Sequence, residues 1–263
     1  MGDTGHMADP GNEELHARMQ RLVRRLETLQ TAYEAGRDSR CVFTYCYKVM
    51  TVRLDAALDT SPFDEPAHVV DLAERFAERY FATLDAFDRG DLRPGAWQTV
   101  LEAVQLRVSS VIEDLIFPIT AHIVHDLPLA LDELSATSPA SGSRLHDFDL
   151  VNDVMGHAID VVRDDVTRRY SPALRWVDRI ERRYDQIATD YGIRMSRALA
   201  WYNAERLRDP KCREGALEAI EQSPGVLVRE VRNPPAQSIR LLLRAMRAFA
   251  ALCRRWPPNT TST

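Results

Sequence analysis

FDEPAHVVDLAERFAERYFATLDAF, residues 63–87, decides the fold class. Val69, Leu72, Phe76, Tyr80 and Leu84 recur at three- and four-residue intervals, which lines them along one face of a helix. Pro66 suits the first turn of that helix, where a missing N–H costs nothing. The break at Ser61-Pro62-Phe63-Asp64-Glu65-Pro66 separates it from an earlier helix, Cys41 to Leu58, whose stripe is Phe43, Tyr47, Met50, Leu54 and Leu58. Before that, Leu15, Met19, Leu22, Val23, Leu26 and Leu29 give the same period from Glu13 to Tyr33. The chain is expected to be all-α, a single multi-helix bundle-like domain of about nine or ten helices. It should span 13–256, between flexible tails at 1–12 and 257–263.

Further along, Asp88 to Gly95 reads as a turn, and a long helical segment runs from Ala96 to Leu131. Pro118 and Pro128 should each kink or interrupt it. Ser135 to Ser143 is the clearest loop, and the helix after it, to Tyr170, is expected to take Asp147 or Asp149 as its cap. Helices are expected from Pro172 to Tyr191, Met195 to Leu207, Cys212 to Glu221 and Ile239 to Cys253. Ser223-Pro224-Gly225 should break the chain, leaving Val226 to Val231 as a short extended stretch.

The chain has 263 residues, 45% of them hydrophobic, enough for a sizeable core. A net charge of −5 gives no electrostatic reason to expect a nucleic-acid partner. No uninterrupted run of 18 apolar residues occurs, so no transmembrane segment is expected. MGDTGHMADPGNEE lacks the apolar region of a secretory signal, and Cys41, Cys46, Cys212 and Cys253 have no zinc-finger spacing. A reduced, cytoplasmic protein is the expectation, with homo-oligomer formation left open. The last amphipathic helix carries Arg240, Arg244, Arg247, Arg254 and Arg255, which suit a solvated face, a membrane surface or an acidic partner.

The candidate chemistry centres on ITAHIVHDLPLA, residues 119–130. His122 and Asp126 are four apart, so on a helix they share a face with Leu115, Ile119 and Leu129. An inward imidazole and carboxylate can ligate a metal, form a general-base dyad, or simply satisfy each other. His125 sits beside them. The helix FDLVNDVMGHAIDVVRDDV places Asn152 beside an apolar stripe, and Asp153 and His157 are again four apart. If the two helices face each other, His122, Asp126, Asp153 and His157 are the candidate ligands for Zn, Mn or Fe. Tyr47 and Thr51, flanked by Lys48 and Arg53, are candidate pocket residues. Arg197 and Trp201 share a face of a later helix, and Arg197 can hold a substrate carboxylate or pair with Asp126.

These segments resemble an uncharacterised helical bacterial family, the one catalogued as domain of unknown function 5995. YCYKVMTVRL, the segment at 63–87, TAHIVHDLPLAL, DFDLVNDVM and RALAWYNAERL carry the resemblance in order, from Phe43 to Leu207. It implies one helical domain and no particular chemistry. Thr120, His125 and Lys48 depart from the residues expected there, which are Asn, Tyr and His. The His125-Asp126 pair also resembles that of metal-dependent HD-type phosphohydrolases, with His68 as an upstream candidate. HIVHDLPL is loosely similar to the site segment of helical zinc phosphodiesterases, without that segment's Gln and last His.

The expected function is that of a small-molecule enzyme with an interhelical His/Asp site, metal-assisted hydrolysis being slightly preferred. Metal-free acid/base cyclisation or isomerisation is one alternative. A non-catalytic protein binding an apolar metabolite or a protein partner is another. In the catalytic readings His122, Asp126 and Arg197 act on the ligand, and Tyr47, Thr51, Asn152 and Trp201 hold it.

Overall fold

The computed structural model describes residues 10–93, 95–105, 109–137, 142–171 and 175–233, with 237, 244, 247–249, 252 and 254–257. Among them the chain is all-α, in one domain. Nine α-helices follow in order: α1 (Pro10–Ala35), α2 (Cys41–Thr60), α3 (Pro66–Asp88), α4 (Ala96–Gln105), α5 (Val111–Ala121), α6 (Leu127–Thr137), α7 (Gly142–Tyr170), α8 (Arg175–Arg208) and α9 (Arg213–Arg232). A π-helical turn, His122–Asp126, joins α5 to α6. Helix α1 begins at Pro10, inside the stretch expected to be a flexible tail. The expected last helix lies mostly outside the described residues.

Local chemistry sets the boundaries. Pro66 occupies the first turn of α3. Gly90 ends the same helix at φ +75, a conformation that glycine adopts without steric cost. Ser110 and Glu113 form a reciprocal capping box at the start of α5. Asp147 caps nothing on its own helix. Buried within α7, it accepts the Asp64 and Glu65 amides at 2.8 and 2.7 Å and so pins the loop that leads into α3.

Two prolines do not end their helices, and one stretch expected to be extended is helical. Pro118 lies inside α5 and Pro224 inside α9, and the segment 226–231 is helical rather than extended. Packing of α9 against α4, with Val228 buried, carries that helix across its proline. The two expected helices around Gly192 are one helix, α8, because a single glycine weakens a helix by only about 1 kcal/mol without stopping it. Pro128 does leave a mark. The wide π turn lies just ahead of it, where its ring would meet the carbonyl of Val124, and the Leu127 amide bonds the His122 carbonyl instead.

Helix α2 lies against α1, α5 and α7, and α6 lies between α3 and α8. Tyr80, Tyr170, Phe81 and Phe117 are the largest fully buried side chains of the core. The run Val111–Ala136 is long and apolar enough to cross a membrane by length and composition, against the expectation of no such segment. In the protein 67% of its most apolar window is buried, and a place in the core accounts for that composition. Cys41, Cys46 and Cys212 are free thiols.

Candidate functional site

The π turn carries the site. Asp126 is 1% exposed, and three donors converge on it. The Trp97 indole N–H of α4 lies 3.0 Å from both Oδ1 and Oδ2. His122 donates through Nδ1 to Oδ2 at 2.8 Å, and His125 through Nδ1 to Oδ1 at 2.7 Å. His125 Nε2 reaches Glu221 Oε1 on α9 at 3.1 Å. A hydrogen-bonded chain thus runs from the half-exposed Glu221 through His125 and Asp126 to His122. Gly95 leaves room for its outer end, since a side chain there would meet Glu221 Oε2 at 2.6 Å.

Electrostatics sorts the protons. Burial alone would push the Asp126 carboxyl up, but the hydrogen bonds from His122 and His125 outweigh it and hold the group at about 2. Burial lowers His125, yet its bonds to Asp126 and Glu221 prevail and raise it to about 9. His122 is different: burial dominates and keeps it below its ordinary value despite Asp126. At neutral pH, then, Asp126 is an anion, His125 a cation and His122 neutral. An ionised carboxylate only accepts, so His122 carries its proton on Nδ1 and a lone pair on Nε2.

That Nε2 is buried and has no hydrogen-bond partner. The His122 ring stacks on Phe76, with centroids 3.5 Å apart and planes 7° apart, and meets Tyr47 edge-on at 4.8 Å. It borders a cavity of about 140 Å³ between α2, α3, the α5–α6 segment, α7 and α8. Asp126 and Trp97 do not line that cavity; His122 does, with Nε2 itself sealed among the aromatic rings at its wall.

Tyr47, Thr51, Arg197 and Trp201 all border the same cavity, whereas Asn152 is not among its lining residues. Burial holds the Tyr47 phenol well above its ordinary value, so it stays a proton donor. The Thr51 hydroxyl is engaged by the Tyr47 carbonyl at 2.8 Å. Lys48 pairs with Glu27 and Arg53 is exposed, so neither belongs to the site. Arg197 is buried and does not pair with Asp126: its Nε donates to the Asn152 carbonyl oxygen, and its guanidinium lies over the Phe148 ring at 4.3 Å. Cys46 also borders the cavity, but burial pushes its thiol up to about 12, which makes it packing rather than a nucleophile. His68 sits on the cavity wall with Arg144 and Glu65 as charged neighbours, away from the His–Asp chain.

Among the described residues the proposed donors do not gather into a metal site. Asp153 is exposed and ion-paired with Arg194 at 2.9 Å, and the side chain of His157 lies outside the described residues. Among the described residues no group of three or more His, Cys, Asp and Glu side chains has metal-binding geometry. Both Asp126 oxygens already accept two donors each, and His122 offers a single nitrogen among aromatic rings. Trp97 and Glu221, which complete the chain, were not legible as site residues. An indole N–H in an apolar helix does call for an acceptor, but nothing in the sequence names which one. Arg247 and Arg254, expected on a solvated basic face, turn inward to Glu113 and Asp114.

The molecule is thus an all-α bundle with a His–Asp pair at the wall of an interhelical apolar cavity. The chain belongs to the family of unknown function DUF5995, which it matches over residues 19–234. No curated protein and no solved structure matches it.

Proposed function

We propose that this protein carries out metal-free acid–base chemistry on a small, largely apolar molecule held in the cavity. The observation behind this reading is the orphaned Nε2 of His122, a neutral base aligned by Asp126 and packed among aromatic rings at the cavity wall. A buried nitrogen left without a partner costs roughly 1–3 kcal/mol, and a ligand that hydrogen-bonds or gives up a proton there removes that cost. In a proton transfer next to a carbonyl, the C–H proton passes to Nε2, and the C–H electron pair moves toward the carbonyl oxygen. Tyr47, whose ring lies 4.8 Å from the imidazole, supplies an O–H to that oxygen. Asp126 then faces an imidazolium across a 2.8 Å bond and stabilises it. Isomerisation and cyclisation use such a step, and the saturated state of Asp126 is why they are preferred to metal-assisted hydrolysis.

Deuterium incorporation tests the reading. The protein is incubated in D2O with a panel of small aliphatic and aromatic carbonyl compounds, and exchange next to the carbonyl is followed by NMR. The wild type should exchange at least one compound, and His122→Gln should slow that by about a hundredfold or more. Equal rates for the two proteins, or no exchange across the panel, would sink the proposal. A non-catalytic carrier of an apolar metabolite is the second reading, supported by the predominantly apolar lining. It predicts binding without exchange.

A further inference from the structure

Arg197 enters the cavity wall from α8 and is 7% exposed. Its two contacts, the Asn152 amide oxygen and the Phe148 ring, carry no net charge. The exposed Asp149 carboxylate attracts it through space from beyond ion-pair distance, and is itself hydrogen-bonded by Asn152 Nδ2 at 3.3 Å. Among the described residues no carboxylate lies within ion-pair distance of the guanidinium, and neither of its terminal nitrogens has a hydrogen-bond partner.

The other charged groups on this wall are matched. Arg144 is held by Glu65 at 3.0 Å, and Asp147 by the Asp64 and Glu65 amides. A buried cation is ordinarily accompanied by an anion, because desolvation of a lone charge is expensive. The terminal nitrogens of a guanidinium form a planar fork whose shape suits a carboxylate. One such fork balances one negative charge, which disfavours a phosphate or a dicarboxylate. Leu72, Phe76, Ile123, Leu127 and Leu131 make the nearby walls apolar. A volume of about 140 Å³ is close to that of an engineered apolar cavity in another protein, about 150 Å³, which takes up benzene.

We infer that the cavity binds a small monocarboxylate with a compact apolar body, its carboxylate held by the Arg197 fork and its body packed against α3 and α6. This rests on the cavity being the ligand site, as proposed above, but not on proton transfer at His122. The body fills the space between Arg197 and His122, so the end remote from the carboxylate lies on the His122 side of the cavity.

Calorimetry on the full chain tests this with two matched pairs, benzoate against benzamide and hexanoate against hexanamide. Each acid should bind about tenfold or more tightly than its amide, the margin of a charged hydrogen-bonded pair over a neutral one. Arg197→Gln should erase that preference, and Arg197→Lys should restore only part of it, since the charge returns without the fork. The acid–amide comparison in the wild type needs no variant, so a misfolded Arg197→Gln leaves the test intact. Amides binding as tightly as the acids, an Arg197→Gln protein that keeps the preference, or failure of both acids to bind would each overturn the inference. Histidine nitrogen NMR separates it from the acid–base reading. Acid-selective binding that leaves His122 unperturbed supports the carboxylate site and removes the base. Amides that bind as well as acids and shift His122 overturn the carboxylate site and keep the base.

Discussion

Two buried charges of this site, Asp126 and Arg197, are treated in opposite ways. Asp126 is surrounded by Trp97, His122 and His125, and each of its oxygens accepts two donors. Arg197 has one amide oxygen and one aromatic face. His122 borders the cavity that Arg197 lines and is held there by Asp126. A saturated charge contributes to the fold and to the orientation of what it holds. An unsaturated one carries a standing cost that a ligand relieves.

The largest expected effect is at Asp126. Asp126→Ala strands the Trp97 indole N–H and the His122 Nδ1–H in the core and leaves the His125 cation with Glu221 alone, and should cost about 3–5 kcal/mol in urea unfolding. A loss under about 1 kcal/mol would break the contrast, because Asp126 would then not be holding its neighbours together.

Next comes pH. His125 is raised in the folded protein to about 9 from 6.5, so its contribution is fully present below 6.5 and lost as pH rises through 9. That amounts to at most about 3 kcal/mol, at 1.36 kcal/mol per unit. Asp126, held at about 2, adds stability above 3.8 that fades as pH falls through 2. His122 is lowered, so its neutral burial costs stability as pH drops below 6.5. The stability curve should therefore peak near neutrality and decline toward pH 9, and His125→Gln should flatten the alkaline limb. An unchanged alkaline limb in the variant would show that His125 is not the cation in the chain.

Trp97→Phe is smaller. It keeps an aromatic ring but removes the one donor shared by both Asp126 oxygens, at an expected cost of about 1.5–3 kcal/mol including lost packing. If thermal unfolding shows no change, the two histidines alone satisfy the carboxylate.

What was legible in the sequence follows the range of each interaction. The α3 stripe and the His122–Asp126 pair depend on spacings of three and four, and both are found. Asn152 beside an apolar stripe does turn inward and meets Arg197, 45 residues away. Trp97 lies 29 residues from Asp126, and Glu221 lies 96 from His125, so no local period links them. Asp147 was misread for the same reason: near a helix start it looks like a cap, yet its partner amides are more than 80 residues back. Pro118 and Pro224 were overweighted because packing offsets the single hydrogen bond each removes. The π turn depends on how α5 and α6 pack around Pro128, and residue spacing alone does not encode it.

The smallest expected effect is at Arg197, and its size is the point of the contrast. Arg197→Met removes a buried cation, whose desolvation costs several kcal/mol. It also forfeits the contact with Phe148, worth about 2 kcal/mol when desolvated, and leaves the Asn152 oxygen unpaired, at about 1–3 kcal/mol. Methionine fills most of the same volume, so no large cavity adds to the balance. These contributions nearly cancel, and without ligand the variant should unfold within about 1 kcal/mol of the wild type, on either side. A loss of the size expected for Asp126→Ala would make Arg197 a structural ion. The unpaired fork would then mark a charge the fold requires, and the search for a carboxylate ligand would lose its physical basis.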